Sequence, residues 1–369
     1  MTGAAGVTED AFLAKPRNPT VLARYSRSSK LKVSGLLLVG ILAISYVIGH
    51  SIALRHQASN HVPRILGSDS LKNNVFGAIA NGQSRMLSRG GSGSTSTQNS
   101  QDDTSIPMAP APDPDLTEST SQGDLPRISE DGRQPWQVYA RPYNTADPRP
   151  RVAIIVGDLG KARVDTEAAV SQLPTNVTLA FDVQGTAIAA WCNRARQTGH
   201  EVMLSVPMEP FDYPRSDPGP HTLLTTLANR TNIEKLNWSL RQATGYVGIT
   251  SMTGSRFTTD SGKLQAIMDV LHDRGLMVLD ARSAPHGVVT ALAHQESVPV
   301  ATANVRIDEN LSPEAINASF HQLEQTARLT GHAVGIVPPL PNVISLLQAW
   351  LKTLPQQGIS LAPVSAVVQ

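Results

Sequence analysis

From Arg151 to the C-terminus one pattern recurs: a short apolar run followed by a stretch with helical spacing. The runs are Val152–Val156, Val177–Phe181, Glu201–Val206, Tyr246–Ile249, Leu276–Leu279, Pro299–Ala303 and Ala333–Val337. Runs this short and this continuously apolar suit parallel strands covered on both faces. Thr186–Thr198, Ile233–Ala243, Lys263–Arg274 and Pro313–Leu329 are read as intervening helices. Gly199, Gly275 and Gly331 each follow a helix, where a left-handed residue ends it. About seven alternations of strand and helix demand a parallel sheet, either doubly wound or closed on itself. No GxGxxG follows the first run and no GxxxxGK[ST] occurs, so the nucleotide-binding fingerprints are missing. The expected fold class is therefore α/β, a barrel or near-barrel.

The rest of the chain reads differently. Val33–Leu54 contains no Asp, Glu, Lys or Arg, and at ~1.5 Å per helical residue it covers the ~30 Å hydrocarbon layer. Lys15, Arg17, Arg24, Arg27, Lys30 and Lys32 precede it, whereas Arg55 and Arg64 follow. The positive-inside rule puts residues 1–32 in the cytoplasm and everything after the span outside the inner membrane. A cleaved signal peptide is the competing reading, but the leader is too long and the apolar run exceeds an ordinary h-region. Residues 55–134 include Arg89–Ser100 (RGGSGSTSTQNS) and Pro107–Leu116 (PMAPAPDPDL), compositions expected to form a low-complexity linker. The folded domain is placed at 135–369. Trp136, Tyr139 and Tyr143 at its start are read as a lid on the core, with a sugar-stacking platform as the alternative. A net charge of +1 offers no field to gather nucleic acid. The sole cysteine, Cys192, permits no internal disulfide or thiolate cluster and is read as a small buried apolar residue.

In parallel barrels the chemistry sits at the C-terminal ends of the strands. Asp158, Glu209, Asp280, Arg282 and Asp308 fall there and are the catalytic candidates. Converging carboxylates can act as general acid and base, or hold a cation. They can equally cap helices or pair with Arg256, Arg282 or Arg306.

VAIIVGDLG (Val152–Gly160), GHEVMLSVPMEP (Gly199–Pro210), GITSMTGSRFT (Gly248–Thr258), VLDARS (Val278–Ser283) and AVGIVPPLP (Ala333–Pro341) together resemble the divergent polysaccharide deacetylase family, over about Arg151 to Val368. The resemblance implies a distorted (β/α)7-type barrel related to the NodB-type carbohydrate esterases. It also implies a metal held by one Asp and two His beside a second Asp, acetylated polysaccharide as substrate, and an exported or membrane-anchored protein. The carry-over is incomplete. Gly157-Asp158 stands for the family's Asp-Asp, Ser205 for a His, Thr250-Ser251-Met252 for Asn-Asn-His, and Pro338-Pro339 for His-Pro. Ser251, Met252, Gly254, Ser255 and Arg256 remain as substrate-binding candidates. His200 precedes its strand and His286 stands alone, so no zinc-type ligand set assembles and no metal site or cofactor is expected. Three readings follow. The first is a membrane-anchored envelope protein that binds peptidoglycan, another envelope polysaccharide or a protein partner without turnover. The second is an active hydrolase using Asp158 and Asp280 with a hard divalent cation. The third is a metal-free glycosidase, whose two carboxylates would stand roughly 5–10 Å apart.

Overall fold

The computed structural model describes residues 107–308 and 310–369. The proposed membrane span lies outside them; among the described residues no helix is long and apolar enough to cross a membrane.

Nine strands form one sheet: β3 (Arg151–Leu159), β4 (Thr178–Asp182), β5 (Val202–Ser205), β6 (Gly248–Thr250), β7 (Met277–Asp280), β8 (Val300–Thr302), β9 (Val305–Arg306), β10 (His332–Val337) and β11 (Ser360–Ala362). All pairs in it are parallel, in the order β8-β7-β6-β5-β4-β3-β10-β9, and β11 adds to the start of β3. The two ends of that order are one chain segment. The Ala303 amide donates to the Asp280 carbonyl at the end of β7, and the Asn304 amide donates to the Val334 carbonyl of β10. The result is an α/β fold with a strongly curled parallel sheet.

Period-two alternation explains the unbroken apolar runs. Ala153, Ile155, Ala180, Met203, Met277, Leu279, Ala301, Val334 and Ile336 form one buried cluster inside the curl. Their neighbours Val152, Ile154, Leu179, Val202, Leu204, Val278 and Val300 join a second cluster under the helices. With both faces buried, a strand has no polar side to show. The covering helices are α2 (Arg163–Gln172), α3 (Ile188–Gln197), α4 (Asn229–Leu240), α5 (Ser261–Asp273), α6 (Val289–Gln295), α7 (Pro313–Thr330) and α8 (Pro341–Leu351); the short α1 (Pro135–Val138) precedes the sheet. Gly199, Gly275 and Gly331 adopt the expected positive φ, and Cys192 is buried on α3, where burial pushes its thiol far above the ordinary range.

Folding begins earlier than the expected linker boundary at 134. Asp113 caps a short turn, and β1 (Thr117–Thr120) pairs antiparallel with β2 (Gly123–Pro126). Leu116 and Leu125 are buried and anchor this otherwise polar strap. The strap runs across the turns that precede the strands. The Arg196 guanidinium donates to the carbonyls of Ala109, Tyr139 and Gly245, the Trp136 amide to Gly275, and Arg141 to Gly199. Tyr139 is buried in the inner cluster, with Trp136 and Tyr143 packed against it. These aromatics close the N-terminal end of the sheet, as a lid does, and take no part in the strand-end cleft.

Candidate functional site

At the C-terminal end of the sheet, β4, β5 and β6 place Asp182, Ser205 and Thr250 side by side in register. Above them the chain departs from regular geometry. Asp158 (φ 55°) and Arg282 (φ 48°) both sit in the left-handed region, which bulky L-residues seldom occupy and which concentrates at functional sites. The turn at Arg282 is held by its amide donating to Asp280 Oδ1 at 2.9 Å.

The position beside Asp158 is a buried glycine. A Cβ on Gly157 would lie 2.9 Å from Met252 Cε and 3.0 Å from its Sδ. The thioether thus fills the space that a side chain at 157 would need. Asp158 itself is bonded to Lys161, whose ammonium lies 2.7 Å from Asp158 Oδ1 and 3.0 Å from Asp182 Oδ2. Burial works against the Lys161 charge, but the two carboxylates outweigh it and raise its pKa above the ordinary lysine value. A thioether, two hydroxyls and two carboxylates that share one ammonium do not suit a hard or borderline divalent cation, which takes free carboxylate or imidazole ligands. This constellation does not fit the metal that the resemblance implies. Lys161 is half exposed, and water screens such pairs. Lys161→Met is therefore expected to cost no more than about 1 kcal/mol in urea unfolding. A loss several times larger would mean that the ammonium is a structural keystone.

The other acidic candidates bond elsewhere. Glu209 is buried; its Oε2 accepts from the Thr225 amide and hydroxyl, and Arg256 stands 3.6 Å from Oε1. Its carbonyl accepts from the Arg256 and Phe257 amides, so it pins the loops after β5 and β6 together. Asp280 accepts the Thr290 hydroxyl at 2.7 Å, and Thr290 in turn contacts Thr302. That turns Asp280 toward α6. Asp308 pairs with Arg306 at 2.8 Å. The four acids do not gather in one cleft.

What does form a cleft, of about 870 Å³, is the surface between the loops after β5, β6, β7 and β9 and the start of α7. Met252, Ser255, Arg282, Arg306 and Asp308 line it; Asp158, Glu209 and Asp280 do not. Arg306 is fully engaged, since besides Asp308 it donates to the carbonyls of Ala281 and Met252. Of the substrate-binding candidates, Ser251 bonds the Thr253 carbonyl, and Gly254 (φ 88°) turns the loop against Met208. Ser255 accepts the Phe211 amide at 2.9 Å, and Arg256 borders a separate shallow depression. His200 is buried against the carbonyls of Val177 and Val170, at the opposite end of its strand.

Lys161 and Asp182 were not among the sequence candidates. Asp182 ends the second strand as the first polar residue after Phe181, the same signal that marked Asp158. Lys161 could be found only with the register in hand.

The model of the divergent polysaccharide deacetylase family matches residues 154–368. The chain belongs to that family. Among solved structures, an uncharacterized protein from Agrobacterium tumefaciens C58 is 34% identical, with a TM-score of 0.65, over 67% of this chain and all of the other. An uncharacterized protein of Haemophilus influenzae is 25% identical over 207 residues, 56% of this chain and 72% of its own. YibQ of Escherichia coli K12 is 25% identical over 219 residues, 59% of this chain and 67% of its own. In this member of the divergent polysaccharide deacetylase family, Asp158, Glu209 and Asp308 at the strand ends face Lys161, Arg256 and Arg306.

Proposed function

We propose that this divergent polysaccharide deacetylase domain binds a cell-envelope polysaccharide without removing its acetyl groups. The observation that carries the reading is the mouth itself, where Met252 packs over Gly157 and Lys161 neutralises Asp158. The curled sheet is read as a distorted (β/α)7-type barrel, because the segment containing β8 and β9 bonds to β7 at one end and to β10 at the other. Barrels of this kind present ligand sites on the loops after their strands, and the cleft lies there. The apolar stretch Val33–Leu54 would hold the domain at the outer side of the inner membrane.

The test combines retention and turnover. Full-length protein is mixed with insoluble peptidoglycan and with acetylated polysaccharides, and acetate release is followed with added Zn²⁺, Mn²⁺, Mg²⁺ or Ca²⁺. Retention without acetate release is expected. Acetate release abolished by Asp158→Asn would replace binding with catalysis, and absence of retention on every polymer would retire the glycan reading.

A further inference from the structure

We propose that the cleft recognises an acidic saccharide, its carboxylate held by Arg282; this rests on the glycan-binding reading and names the chemistry of the ligand. Arginines at the ends of β6, β7 and β9 are Arg256, Arg282 and Arg306, and two of them are engaged. Arg306 is closed by Asp308 and two carbonyls, and Arg256 faces Glu209. Arg282 makes no side-chain hydrogen bond or ion pair among the described residues, yet it lines the cleft from a backbone position of φ 48°. The Asp280 carboxylate that could have neutralised it is used instead on the Arg282 amide and the Thr290 hydroxyl. The fold therefore spends an acid on fixing the strained turn and leaves the guanidinium free.

A guanidinium binds a carboxylate through two parallel donors, a geometry that a neutral sugar cannot match. The surroundings suit the remainder of a sugar. Ser283 and Asn310 add polar groups to the lining. Phe211, 60% exposed, stands at the rim, tied by its amide to Ser255 of the lining. An exposed aromatic face beside polar groups is what a pyranose ring stacks upon. Asp217 is the acid of the lining that no cation neutralises. It would repel a polyanion of high charge density and favour a saccharide with one carboxylate per residue.

The experiment is calorimetric titration of the full-length protein with tetragalacturonate, its carboxyl-reduced counterpart tetragalactose, and inorganic phosphate. Tetragalacturonate is expected to bind at least about tenfold more tightly than the reduced form. Arg282→Ala should remove that advantage, Arg282→Lys should keep only part of it, and Phe211→Ala should weaken both saccharides. Equal binding of the two saccharides, unchanged by Arg282→Ala, overturns the acidic assignment while the glycan reading stands. Phosphate binding that depends on Arg282, with no saccharide bound, overturns the acidic-saccharide assignment and leaves a simple anion site. Binding of none of the three overturns that assignment as well, while retention on the polymers decides the glycan reading separately.

Discussion

Gly248→Ala is expected to unfold the domain or to destabilise it by at least about 4 kcal/mol, outside the ordinary range of point mutations. Gly248 lies in β6 between Met203 and Met277 in register. A Cβ there would stand 2.0 Å from the Met277 carbonyl oxygen and 2.7 Å from its carbon. The obstacle is backbone, so no rotamer change can relieve it; β6 and β7 would have to part and lose their ladder. The long methionine side chains of the neighbouring strands join the inner cluster beside the missing side chain, a use suited to their flexibility. Urea unfolding followed by tryptophan fluorescence measures the effect. A loss below about 1 kcal/mol would mean that the strands are not packed as closely as described.

Glu201→Ala should cost on the order of 4 kcal/mol, since each buried donor left without an acceptor costs roughly 1–3 kcal/mol and some will relax. Glu201 is completely buried at the start of β5. It accepts the Arg141 amide at 3.1 Å, the Thr178 hydroxyl at 3.1 Å, the Ser365 amide at 3.2 Å and the Ser365 hydroxyl. One carboxyl thereby joins the N-terminal strap, the second strand of the sheet and the C-terminal segment. Burial raises its pKa, and the hydrogen bonds from Ser365, Arg141 and Thr178 oppose that only in part. An acid with a raised native pKa stabilises the fold fully below its unfolded value, near 4.3, and that contribution fades as pH climbs through the native value. Wild-type stability should accordingly fall with rising pH across this window. Glu201→Gln should lack that fall, at a cost of about 1 kcal/mol for the donor that then faces an amide. A pH profile identical in both proteins would show that this carboxyl does not titrate with folding.

The sheet was legible because its strands are covered on both faces. Each apolar run, from Val152–Val156 to Ala333–Val337, coincides with a strand to within a few residues at either end. The β1–β2 hairpin was not legible. Its strands, TEST and GDLP, are polar and for the most part half-buried, and they are held by the apolar Leu116 and Leu125 and by Arg274, which bonds Glu118 and the Pro126 carbonyl, so composition alone argued for a linker. β11 escaped for the opposite reason: in the largely apolar tail Ile359–Val368 no period stands out from the background. At the site, strand-end position identified Asp158, Asp280 and Asp308, but not what each carboxylate touches. The partners Lys161, Thr290 and Arg306 reach them through loop geometry and strand register, which no local pattern encodes. The replacements at Gly157, Ser205 and Met252 were readable, but the packing of Met252 over Gly157 was not.

The bonds that Arg196 donates to the strap, and those that the Gly275 and Gly199 carbonyls accept from it, fix where residues 107–141 meet the sheet: on the turns that enter the strands, the pole opposite the cleft. A load applied to the chain at residue 107 would therefore enter the sheet at that pole and leave the loops around the cleft unloaded.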